Sequence, residues 1–145
     1  MKRDEALQSL SRDHHQALFV AQRLRRAEDV EAASDEFLSF WREHGRRHFQ
    51  IEEEVLFPAW ADRDAGYDEG MVLRALADHH AVRVDARRAA GGRATLDGLH
   101  ALSARLNAHV RFEEREMFPA IEMALSGEEL AALAAEIERA ESASS

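Results

Sequence analysis

The stretch His48-Phe49-Gln50-Ile51-Glu52-Glu53-Glu54-Val55-Leu56-Phe57-Pro58 is echoed later in the chain as His109-Val110-Arg111-Phe112-Glu113-Glu114-Arg115-Glu116-Met117-Phe118-Pro119. Histidine, the glutamate pair and the closing Phe-Pro keep one offset throughout. Residues four apart on an α-helix lie on nearly the same face, about 6 Å apart along the axis, so His48 with Glu52, and His109 with Glu113, can each address a single centre. A second pair accompanies the first: Asp13-His14-His15 reappears as Asp78-His79-His80. Two helical hairpins of one design, related by a pseudo-twofold, would produce this double repeat.

Working outward, apolar positions recur at helical spacing. A first helix is expected from about Asp4 to Ala27, with Leu7, Leu10, His14, Ala17, Ala21 and Leu24 inward. The second carries Phe37, Trp41, His44, His48, Ile51 and Val55 and is kinked or ended within about a turn of Pro58. Asp64, Ala65, Gly66 and Tyr67 form the turn that follows. A third helix places Val72, Leu76, His79, Val82 and Ala86 inward and stops at Gly91 and Gly92; the fourth carries Leu99, Leu102, Leu106, His109 and Glu113 to Pro119. Ser126, three residues before Glu129, has capping-box spacing and starts a fifth helix with Leu130, Leu133 and Ile137 on one face, expected across the bundle end. The fold class is therefore all-α, an up-and-down antiparallel four-helix bundle with a short C-terminal fifth helix. One domain is expected over residues 1–141, with a frayed tail at 142–145.

Composition bounds the function. A chain of 145 residues, 46% hydrophobic, builds one core, and two prolines and one tyrosine give little sign of strands. A formal charge of -9 argues against a nucleic-acid partner. With no cysteine there is no disulfide and no thiolate ligand, so any metal must sit on nitrogen and oxygen. The first residues enter an amphipathic pattern, with no apolar run long enough for a bilayer. A cytoplasmic protein with no membrane partner is the expectation.

Metal chemistry is where the repeat leads. A carboxylate facing a bundle core costs several kcal/mol unless it is paired or bound to a cation. Two histidine-glutamate pairs in register on facing helices let each glutamate bridge two cations. His14, His48, Glu52, His79, His109 and Glu113 are the candidate ligands. His15 and His80 sit about 100° around the helix from the inward seams, and are either additional ligands or partly exposed imidazoles. His44, whose repeat counterpart is Arg105, is either a fifth imidazole ligand or a core histidine bonded to backbone or water. Asp13 and Asp78 could orient a neighbouring imidazole through its second nitrogen, the simpler reading being ordinary surface aspartates. Glu53, Glu54, Glu114 and Glu116 are expected as a solvated acidic face with Arg46, Arg47, Arg111 and Arg115 as partners, and His100 is expected at the surface.

These residues resemble the hemerythrin-like, or HHE cation-binding, family, over nearly all of residues 1–125. The resemblance implies a cofactor of two non-haem iron ions, bridged by carboxylates inside the bundle, and a small ligand: dioxygen, nitric oxide or peroxide. Oxygen-carrying hemerythrins place two histidines four apart on their third helix, where this chain has Arg83 after His79 and Val84 after His80. Their fourth helix pairs a histidine with an aspartate five residues on, whereas Glu113 stands four after His109. The subgroup with two symmetric histidine-glutamate helices fits better. The leading expectation is a binding or sensing protein for the small ligand, and the alternatives are a di-iron enzyme with peroxide-decomposing or ferroxidase activity and a metal-free helical interaction module. Zinc or manganese would suit the same donors. Monomer and homodimer are both open.

Overall fold

In the computed structural model, which describes residues 2–63 and 66–143, five helices follow one another with no strand among the described residues. Helix α1 is Glu5–Arg25. Helix α2 runs through residues 30–61 and α4 through 96–124, each continuous but with widened turns, while α3 is Glu69–Ala90 and α5 is Gly127–Ala143. Contacts link α1 to α2, α2 to α3, α3 to α4 and α4 back to α1, closing an up-and-down ring of four.

Short polar side chains start the helices. The Asp4 carboxylate accepts from the Ala6 amide, Asp29 from Glu31 and Ala32, Asp68 from Met71, and the Thr95 hydroxyl from Gly98, each satisfying amides that lack an intrahelical partner. The turn after α3 needs glycine at Gly92, whose φ is +69°. Gly66 has a φ of +85° in the turn before α3, while Asp64 and Ala65 of that turn lie outside the described residues.

The prolines do not end their helices at once. A proline inside a helix lacks an N–H and crowds the carbonyl four residues back. Just before each one the chain widens by a residue: the Phe57 amide donates to the Glu52 carbonyl and the Phe118 amide to the Glu113 carbonyl, five residues back. Helix α2 goes on to Ala61 and α4 to Ala124. The inserted residue also moves the inward stripe, so that Leu56 is fully buried where Val55 was expected, and Val55 is only half-buried. A third widened turn, Trp41–Gly45, buries Gly45 in place of His44. On α3, Ala75 is buried and the expected Leu76 is 36% exposed.

Two apolar blocks result. One gathers Leu7, Leu10, Leu56, Trp60, Met117 and Ile121; the other gathers Leu24, Phe37, Val82, Leu99, Leu102 and Leu106. Along each of the four bundle helices the sequence passes from one block to the other through a histidine. Helix α5 corrects an expectation: it packs along α1 and the 46–56 stretch of α2, where Leu130, Leu133 and Ile137 join the first block, and does not cross the bundle end. Its start is the reciprocal capping box, with the Ser126 amide donating to Glu129 Oε1 at 2.7 Å and the Glu129 amide to Ser126 Oγ at 3.2 Å. The helix continues to Ala143, into the stretch expected to fray; Ser144 and Ser145 lie outside the described residues.

Candidate metal centre

Between the two blocks the four helices turn six polar side chains inward. His14, His48, His79 and His109 are at most 4% exposed, and Glu52 and Glu113 are fully buried. Two overlapping groups form, His14 with His48, Glu52 and Glu113, and His79 with His109, Glu52 and Glu113; within each, one donor atom per residue lies within 4.8 Å of all the others. Both glutamates belong to both groups. The Nε2 atoms converge: His14 Nε2 is 2.8 Å from Glu113 Oε1, His79 Nε2 is 2.9 Å from Glu52 Oε1, His48 Nε2 is 3.2 Å from Glu52 Oε2, and His109 Nε2 is 3.4 Å from Glu113 Oε2.

The other ring nitrogen of each histidine is held by a carboxylate. Glu114 Oε2 sits 2.7 Å from His14 Nδ1, Asp13 Oδ2 3.0 Å from His48 Nδ1, Glu53 Oε2 2.6 Å from His79 Nδ1, and Asp78 Oδ2 3.0 Å from His109 Nδ1. A carboxylate at Nδ1 draws the proton there and leaves the Nε2 lone pair facing the centre, the usual arrangement behind a ligating imidazole. Asp13 and Asp78 are thus no ordinary surface aspartates, and each orients the histidine of the following helix instead of its sequence neighbour. Glu53 and Glu114 likewise leave the solvated face assigned to them. The signal lay in the doubled glutamate of the repeat, whose second member faces the opposite hairpin. Arg83 holds Glu53 at 2.8 Å, and Arg3 and Ser11 hold Glu114; Arg46, Arg47, Arg111 and Arg115 pair with none of these glutamates among the described residues.

The twofold breaks only outside this ring. Arg105 Nη1 approaches Asp78 Oδ1 at 3.7 Å, and its repeat counterpart His44 places Nδ1 4.0 Å from Asp13 Oδ1. His44 joins neither donor group, and its Nδ1 is buried without a hydrogen-bond partner. His15 and His80 are exposed and contribute no atom to either group. His100 is half-buried, not simply at the surface, and donates from Nε2 to the Ala27 carbonyl at 3.0 Å. Phenylalanines wall the centre: Phe118 stacks on His14 at 5.3 Å between ring centroids, and Phe49 and Phe57 stack on His79 at 3.8 and 6.1 Å.

The electrostatics call for positive charge. Burial pulls the His79 imidazole down, but Glu52 and Glu53 more than reverse this and push it to about 9. His48 is raised well above the usual imidazole value because Glu52, Asp13 and Glu113 outweigh its burial. Burial would raise Glu113, yet His109, His14 and His48 hold it well below the usual carboxylate range. Burial also opposes the shift of Glu114, which His14 and Ser11 bring down to about 2. Protons alone do not satisfy the ring: His48, His79 and His109 Nε2, both Glu52 oxygens and Glu113 Oε2 are buried without a hydrogen-bond partner. Atoms of opposite charge that crowd together without aligned hydrogen bonds are what a cation between them would satisfy, so these donors fit a metal.

No curated protein and no solved structure matches the chain. The model of the hemerythrin HHE cation-binding domain, however, matches residues 6–121. With most of its length covered, the match falling on the helices that build this ring, the chain belongs to the hemerythrin HHE cation-binding family.

Proposed function

We propose that the protein holds two iron ions and binds or senses a small ligand, dioxygen, nitric oxide or peroxide, at this centre. The observation that carries the reading is that two donor groups share both of their glutamates. His14 and His48 would hold one ion and His79 and His109 the other, with Glu52 and Glu113 offering an oxygen to each. When bound, such ions supply Lewis acidity and one-electron redox chemistry. The chain supplies the rest. Asp13, Glu53, Asp78 and Glu114 fix the four rings and their tautomers, and Phe49, Phe57 and Phe118 restrict water and limit the ligand to a few atoms. The orphaned donor atoms weigh against a metal-free module, because leaving each buried polar group unmet costs about 1–3 kcal/mol.

Loading the metal-free protein with ferrous iron under argon and then admitting oxygen tests the reading. Expected are about two irons per chain and near-ultraviolet charge-transfer bands absent from the metal-free protein. A spectrum unchanged by iron and oxygen overturns it. Oxygen evolution on adding peroxide, faster than with free iron, would move the assignment from binding to catalysis.

The carboxylates behind the rings carry their own expectation. Asp78→Ala frees His109 Nδ1, and outer-shell losses of this kind lower metal affinity about 10- to 100-fold. A competitive chelator titration measures the change, and unaltered affinity would mean that Asp78 does not orient its ring.

A further inference from the structure

Away from the centre, this acidic chain gathers cations around an apolar groove of about 490 Å³ between α2 and α3. Its floor is Leu38, Trp41 and Ala86, each under 10% exposed. Its rim is Arg42 and Arg46 from α2 and His80, Arg83 and Arg87 from α3, the arginines of each helix one turn apart, and no aspartate or glutamate among the described residues lines it. Arg83 is committed to Glu53 at 2.8 Å, whereas Arg42, Arg46 and Arg87 make no ion pair among the described residues.

This arrangement is costly without an occupant. Like charges four apart on a helix repel, by a few tenths of a kcal/mol per pair, and Arg42, Arg46 and Arg87 stand without a carboxylate partner among the described residues, beside an apolar wall of which Val84 is half-buried and Ala90 exposed. An occupant with an anionic head and an apolar body relieves both conditions at once. The volume falls in the range of small-molecule sites, about 300–1,000 Å³. A planar guanidinium fork matches a carboxylate in two-pronged fashion.

We propose that this groove binds a small amphipathic carboxylate, its head between Arg42, Arg46 and Arg87 and its apolar body on Trp41, Leu38 and Ala86. The groove shares no donor atom with the metal centre, which it meets only through Arg83 and its partner Glu53, and the proposal stands whether or not that centre holds iron.

The test is a calorimetric titration of the whole chain with decanoate below its micellar concentration, with decanol, inorganic phosphate and an acidic peptide as comparators. Expected is saturable one-site binding of decanoate, at least about tenfold tighter than decanol or phosphate, as hydrogen bonds to a charged group imply. The triple variant Arg42→Gln, Arg46→Gln, Arg87→Gln, none of which touches the centre, should weaken decanoate at least about tenfold with helical circular dichroism unchanged. Equal binding of decanol, or undiminished binding by the variant, overturns the proposal. An acidic peptide that binds more tightly and displaces decanoate overturns it in favour of a protein partner.

Discussion

Glu113→Ala is expected to strip metal from both halves of the centre, while His14→Ala strips only one. The difference follows from membership. Glu113 belongs to both donor groups and lies within 4 Å of His14, His48 and His109, whereas His14 belongs to a single group. Removing one partner of a buried charged set costs about 3–5 kcal/mol, which for metal binding is a loss near a thousandfold. Metal analysis after dialysis against a small excess of iron distinguishes the variants: close to none for Glu113→Ala, and close to half the wild-type content for His14→Ala. Equal losses in the two would contradict the shared-glutamate arrangement. Retention in Glu113→Ala would remove the bridging role altogether.

The sequence made the inner ring legible and concealed the layer behind it. His48 with Glu52 and His109 with Glu113 could be paired from a four-residue step, because periodicity on one helix states which side chains share a face. Periodicity does not state which neighbouring helix a side chain reaches. Asp13 was therefore visible as a possible orienting group but not as the partner of His48, and Glu53 looked like surface because only the opposing hairpin brings His79 to it. On α2 the helix register failed for a local reason, which the regular helix α3, where Ala75 is buried in place of Leu76, does not share. A widened turn adds a residue that no regular 3.6-residue count contains, which is how Leu56 displaced Val55 and how His44 was left facing Asp13. Proline at 58 and 119 was a clue to those turns, since a helix that passes a proline must relieve the clash somewhere. The turn at Trp41–Gly45 had no such marker.

Removing the metal should leave the bundle helical but lower its melting temperature by about 10 °C. Two apolar blocks flank the polar ring, and each is a core in its own right, so the helices have reason to persist without a cation. The ring itself does not. Two fully buried carboxylates and four buried imidazoles must then be satisfied by protons and imperfect contacts, and six of their atoms are without a hydrogen bond. Metal at a thousandfold excess over its dissociation constant stabilises the folded state by about 4 kcal/mol, and for a chain of this size each kcal/mol moves the midpoint by about 2–4 °C. Melting followed by circular dichroism, with and without chelator, measures the shift, and Glu113→Ala supplies the internal control. If the stabilisation comes from a cation shared by both glutamates, the variant melts at one temperature whether or not chelator is present. A wild-type midpoint unmoved by chelator would instead mean that the two apolar blocks hold the ring closed unaided, and the protein would then be the metal-free module that the orphaned donors argue against.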